Sequence, residues 1–263
     1  MFRGLVRSLL PQSLRERIYR IRKAWNPETP LILSPAYAED GLISQHVCDF
    51  MTDNAFSAAY KTGRAGINWS HPGEIRFRAY IACWAAQHAL NIDGDFVECG
   101  VAHGVLSRTV CAYVDFQNVN KNFYLYDTFQ GIPVETLDDM GEIKNATQFN
   151  QTHYAEDLIP IVKERFNGYP NVSINPGILP ESLHNFSPKK IAYLSIDLNN
   201  AKAEIGVIKT LWDRLSPGAI VLLDDYAYGP EFITQKKAWD TFAASKNTPL
   251  LTLPTGQGLI LKR

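Results

Sequence analysis

Cysteine and methionine are scarce in this chain, with 4 and 3 of them among 263 residues. Cys48, Cys83, Cys99 and Cys111 form no CxxC pair and no Cys/His ligand spacing, which argues against a disulfide framework or a zinc site and for a reducing cytoplasm. No apolar run approaches the roughly 20 residues that a membrane span needs. The first residues lack an apolar stretch followed by a small-residue cleavage site, so a soluble, unsecreted protein is expected. Charge of one sign is also missing: the formal net charge of −1 gives no overall pull toward nucleic acid. No repeat or low-complexity tract supports a solenoid. At 263 residues the chain suits one large α/β domain with an appendage rather than two full domains.

Over residues 1–23, Arg3, Arg7, Arg15, Arg17, Arg20, Arg22 and Lys23 face a single acid, Glu16, with leucines and isoleucines interleaved. This is a basic amphipathic segment, suited to an anionic membrane surface, to a partner subunit or to its own domain. Asn26-Pro27 and Thr29-Pro30 mark a linker, so residues 1–37 read as an arm. Residues 38–92 read as a helical cap on a domain that spans 38–263.

From residue 96, short apolar runs alternate with helical stretches. The runs are Phe96–Val101, Phe123–Phe129, Val172–Ile174, Ile191–Asp197 and Ala219–Asp225, each ending near a glycine or an acid. This is the pattern of a parallel sheet buried on both faces. Leu106–Phe116, Glu156–Phe166 and Ala203–Leu215 are long enough for crossover helices. Leu250–Leu253 and Leu259–Lys262, separated by Pro254-Thr255-Gly256-Gln257-Gly258, predict an antiparallel hairpin. The expected fold is α/β: a doubly wound, mostly parallel seven-stranded sheet.

In such a sheet ligands bind beyond the carboxyl ends of the strands. The first run ends in Glu98-Cys99-Gly100-Val101-Ala102-His103-Gly104, without the strict GxGxxG of a nicotinamide dinucleotide site. Gly100 permits a tight turn, Gly104 lets the next helix start near the strand, and Ser107 lies one turn further on. Glu98 would repel a pyrophosphate and attract the ammonium of a methionine moiety. The second run ends in Tyr126-Asp127-Thr128-Phe129, where an acid is suited to ribose hydroxyls. After the third, Gly177 and Ile178 begin a turn suited to an adenine ring. Asp197, Asp224 and Asp225 end the fourth and fifth runs. Three converging carboxylates repel one another unless a hard cation such as magnesium joins them.

At these motifs the chain resembles the TylF/MycF family of macrocin O-methyltransferases. The resemblance covers about residues 90 to 263 and is most specific at Asp127-Thr128-Phe129-Gln130-Gly131-Ile132-Pro133 and at Leu215-Ser216-Pro217-Gly218 with Asp224-Asp225-Tyr226. It implies a homo-oligomeric, S-adenosylmethionine-dependent enzyme that methylates a hydroxyl, typically on a sugar, with magnesium held by Asp197, Asp224 and Asp225. One departure stands out: the family's Asp-Gly-Asp is replaced by Asp197-Leu198-Asn199, and an amide can ligate a metal or orient an acceptor but cannot act as a base.

Removal of the acceptor proton needs a base. Among the six histidines, His88 falls in a helical pattern, His103 in the cofactor loop, and His153 in the polar stretch Asn145–Tyr154, where the family places a lid and a histidine base. His153 is the candidate base, with an ordinary surface histidine as the alternative. Tyr154, Tyr226 and Tyr228 are candidates to stack on a sugar. A non-catalytic cofactor-binding scaffold and a nicotinamide-dependent oxidoreductase are the competing readings.

Overall fold

The structure, a computed structural model, describes residues 35–67, 73–137, 140–154 and 157–263. The basic segment 1–23 lies outside the described residues. The described residues fall into two compact units: 35–38 with Leu42–Cys48, and Glu39–Gly41 with the described residues from Asp49 onward.

Strands β1 (Tyr37–Glu39) and β2 (Leu42–Ser44) pair as a two-stranded sheet. Asp40 and Gly41 between them have φ of 51° and 76°, the double left-handed geometry of a two-residue type I′ turn. The helical reading of 38–92 is therefore corrected at its start: Asp40-Gly41 is a turn signal. Helices α1 (Asn54–Arg64) and α2 (Arg76–Ala89) follow. Asp53 begins α1 by accepting from the N–H groups of Ala55 and Phe56 at 2.8 and 3.1 Å.

The main sheet has seven strands in the order β5-β4-β3-β6-β7-β9-β8. They are β3 (Asp95–Cys99), β4 (Phe123–Asp127), β5 (Val172–Pro176), β6 (Ile191–Ile196), β7 (Leu215–Leu223), β8 (Leu251–Thr252) and β9 (Gly258–Leu261). β5, β4, β3, β6 and β7 run parallel, while β9 is antiparallel to both β7 and β8. Helices α3 (Val105–Tyr113), α5 (Leu158–Arg165) and α6 (Ala201–Leu211) make the crossovers. The expected sheet and its closing hairpin are present. α7 (Ile233–Ser245) lies between β7 and β8 in sequence.

Every residue of the central strand β6 is buried, which is why Ile191–Ile196 reads as an unbroken apolar run. One cluster of buried residues joins Leu194, Ile196, Val207, Leu223 and Trp239. Phe96, Phe116, Phe123 and Tyr193 form an aromatic group with ring centroids 5.1 to 6.1 Å apart.

Strand order reverses between β3 and β6, and the crevice of a doubly wound sheet opens at such a point. Gly100 has φ of 89°, and a Cβ on it would lie 1.7 Å from the carbonyl oxygen of Asp197. The two strand ends touch there, main chain to main chain. Only glycine fits both the conformation and the space.

Candidate active site

The crevice is a cleft of about 610 Å³, counted out to its open mouth. Gly100, Asp127, Thr128, Gly177, Asp197 and Asn199 line one part, and Ile132, Pro133, Phe149 and Tyr154 make an apolar wall. On the β3–β4 side Asp127 organises the loop. Its Oδ2 accepts from the N–H groups of Val101 and Ala102 at 2.6 and 2.8 Å, and its Oδ1 from that of Phe129 at 2.6 Å. Three main-chain N–H groups thus surround one carboxylate and fix its orientation. Gly104, at φ 70°, starts α3 so close to Phe166 that a Cβ would lie 2.7 Å from the ring.

Glu98 lies behind this loop and does not line the cleft. It is 3 % exposed, and its Oε2 has no hydrogen-bond partner among the described residues. Burial pushes its carboxyl well above the usual range, the facing Ser107 hydroxyl pulls it down, and Asp224 and Asp127 add to the rise. Val101, Gly104, Ser107 and Phe129 are also absent from the cleft lining, and Val101 and Phe129 act on it through their N–H groups to Asp127. Ile178, the residue after Gly177, is 37 % exposed.

On the β6–β7 side, Asp197, Asp224 and Asp225 each turn one oxygen to a common point, all within 4.8 Å of one another. Burial, then Asp225 and Asp224, raise the carboxyl of Asp197 well above its ordinary value, with Arg78 opposing. Asp225 is pushed up to about 7 by burial and by Asp224. These are the shifts of charges held together without enough counter-charge. Asn199, at φ 52°, donates to Asp197 Oδ1 at 3.1 Å. Its loop is fixed at both ends. Asn200 caps α6 by accepting from the N–H groups of Lys202 and Ala203, and the Leu198 N–H donates to Glu204 at 3.3 Å. Trp239 and Gln235 donate to that same buried Glu204 at 2.7 and 2.9 Å.

The structure adds a residue that the motifs did not indicate. Arg78 of α2, only 6 % exposed, donates through Nη1 to Asp224 at 2.7 Å and to Asp225 at 3.2 Å. Its Nε and Nη2 donate to the two oxygens of Asp40 at 2.6 and 3.0 Å. One signal for it was available: Arg78 shares a helical stripe with the buried Ala82, Ala85 and Ala89. A charge on a buried stripe needs a partner.

The remaining candidates separate. The polar stretch 145–154 is not a loop: α4 (Met140–His153) runs through it, and its last residue is His153. The His153 side chain lies outside what is described. Asn150 ties α4 to the turn after β4, accepting from the Ile132 N–H at 2.8 Å and donating to its carbonyl at 2.9 Å. Of the tyrosines, Tyr154 lines the cleft, Tyr226 bonds to Asp240 and Lys236, and Tyr228 stacks on Arg78. His88 approaches the Gly218 carbonyl at 3.1 Å, in keeping with a structural role.

The sheet order, the loop after β3 and the acid after β4 define a class I, S-adenosylmethionine-dependent methyltransferase. A structure of the O-methyltransferase NovP has the same fold, with a TM-score of 0.62 at 23% identity over 78% of this chain and 87% of that one. More particularly, the chain belongs to the macrocin-O-methyltransferase (TylF) family, whose model matches residues 43–252, and is an S-adenosylmethionine-dependent O-methyltransferase. It is 26% identical over 193 residues, 69% of this chain and 75% of the relative, to mycinamicin III 3''-O-methyltransferase of Micromonospora griseorubida. It is also 26% identical over 143 residues to 8-demethyl-8-(2,3-dimethoxy-alpha-L-rhamnosyl)-tetracenomycin-C 4'-O-methyltransferase of Streptomyces olivaceus, over 52% of this chain and 54% of that protein.

Proposed function

We propose that this enzyme methylates a sugar hydroxyl on a small glycosylated molecule, assisted by magnesium held by Asp197, Asp224 and Asp225. One observation carries the reading: Asp197 both lines the cleft and belongs to the acidic trio, so a cofactor and a cation bound there would adjoin. The relatives' names support the acceptor class: one specifies a rhamnosyl-bearing tetracenomycin methylated at a 4' oxygen, the other methylation of mycinamicin III at a 3'' oxygen.

In this reading the loop Gly100–Gly104, with Ser107 behind it, cradles the methionine part of the cofactor, whose ammonium would be the counter-charge that favours the ionised form of the buried Glu98. Asp127 receives the ribose. A carboxylate has about four acceptor directions, and three are taken by main-chain N–H groups. Thr128 Oγ1 also stands 3.3 Å from Oδ1, so a ribose hydroxyl at Asp127 shares the carboxylate with the protein's own donors, beside Thr128 and Phe129. Gly177 and Ile178 border the adenine. When bound, S-adenosylmethionine would supply a methyl group activated on a sulfonium, with S-adenosylhomocysteine as the leaving group.

The oxygen donors of the trio suit a hard divalent ion. When bound, such an ion supplies charge that lowers the pKa of an adjacent hydroxyl. Asn199 orients the acceptor beside Asp197, and the wall of Phe149, Tyr154, Ile132 and Pro133 excludes water. His153, the residue before Tyr154, takes the proton.

The test is product mass after incubation with S-adenosylmethionine and paired acceptors, each glycoside beside its aglycone. Methylation of a glycoside and not its aglycone is expected, with a loss of about 100-fold or more in kcat on chelation or in Asp197→Asn. Methylated aglycone would overturn the sugar assignment, and undiminished turnover in the chelator would overturn the metal.

A further inference from the structure

The geometry points to Arg78 as a resident cation of the acidic trio, one that weakens its hold on divalent metal. The inference rests on the metal reading above and concerns what tunes that site.

The guanidinium is fixed rather than mobile. Asp40 takes Nε and Nη2 in a two-point grip at 2.6 and 3.0 Å, the geometry that matches a planar fork to a carboxylate. Tyr228 lies under it, with the guanidinium carbon 4.6 Å from the ring centre, and its hydroxyl donates to Asp40 at 2.9 Å. Nη1 alone is left to face the trio, and it reaches Asp224 and Asp225 together. The other oxygen of Asp224 accepts from Gln257 Nε2 at 2.9 Å. Asp197 has no ion pair with Arg78.

Two effects oppose each other here. Arg78 holds Asp224 and Asp225 in place, which favours a metal, and it stands as a positive charge beside the point where they converge, which disfavours one. At the 3 Å scale of these contacts, with little water between, the charge effect dominates. Asp40 moderates it by balancing the guanidinium. The turn at Asp40-Gly41 thus sets metal affinity from outside the sheet. Lysine at position 78 would keep the charge without the fork.

Binding of Mn²⁺ at pH 8, followed by the paramagnetic resonance of the free ion, tests this without turnover. Thermal melting checks that each full-length variant folds. Arg78→Gln is expected to bind roughly ten-fold tighter or more than the unaltered protein. Asp40→Asn is expected to bind several-fold weaker, since it unbalances the guanidinium, and Asp197→Asn to lose binding. A residue that merely supported the fold would weaken binding in both of the first two variants. Equal or weaker binding by Arg78→Gln overturns the inference; should that variant not fold, equal or tighter binding by Asp40→Asn does so. If no folded variant binds Mn²⁺, Arg78→Gln included, the metal reading fails and this inference with it. Binding that Asp197→Asn abolishes but Arg78→Gln leaves unchanged overturns this inference alone.

Discussion

The two halves of the crevice hold their carboxylates in opposite ways. At the ends of β3 and β4, Asp127 is surrounded by main-chain N–H groups, and the charge is satisfied by the fold that presents it. At the ends of β6 and β7, three carboxylates converge with one guanidinium reaching two of them, and Asp197 and Asp225 are driven toward their neutral forms. Acid count alone does not distinguish these sites. In the first the carboxylate is already met by fixed donors, whereas the second still lacks positive charge, which in the proposed reading is brought by a cation.

The contrast breaks most completely where the halves touch. Gly100→Ala would push a Cβ into the Asp197 carbonyl from a left-handed backbone. A loss of about 4 kcal/mol or more is expected, read from denaturant midpoints. A fully stable variant would mean that β3 and β6 do not meet as described.

The sign of the contrast is tested by the same change on each side. Asp127→Asn turns an amide N–H₂ toward main-chain donors and should cost about 2 kcal/mol or more. Asp225→Asn should instead raise the melting temperature of the metal-free protein at pH 8. The folded-state value of Asp225, about 7, lies above its ordinary 3.8. Stability attached to its neutral form is therefore full below about pH 3.8 and is lost as pH rises through 7, by about 4 kcal/mol at most. The advantage of Asp225→Asn should shrink at pH 5 and vanish only below about pH 3.8. Equal destabilisation on both sides, independent of pH, would erase the distinction.

A smaller change sharpens the acid side. Asn200→Ala removes the cap that starts α6 directly after Asn199. It should cost about 1 kcal/mol by thermal melting. A neutral result would mean that Glu204 alone secures the loop.

The parallel sheet was legible because its strands are buried on both faces, so β6 and β7 stand out as apolar runs bounded by acids. Asp127, Asp197, Asp224 and Asp225 were legible from their positions at strand ends. Their surroundings were not. Helix α4 exposes Lys144, Thr147, Gln148 and Gln151 and lacks the apolar period that marks a helix, so it read as a loop. Arg78 lies 146 residues before Asp224, and the turn bearing Asp40 lies 38 before Arg78. Only the folded chain brings these three together. No local pattern encodes such a contact beyond the oddity of an arginine on a stripe of buried alanines.

The central claim, that the β3–β4 half is a finished S-adenosylmethionine site, is tested most directly by isothermal titration of S-adenosylhomocysteine into the unaltered protein and Asp127→Ala. Saturable binding by the first, at least ten-fold weaker in a variant that still melts cooperatively, is the expected result. No binding to the folded, unaltered protein, or equal binding by both, would contradict it.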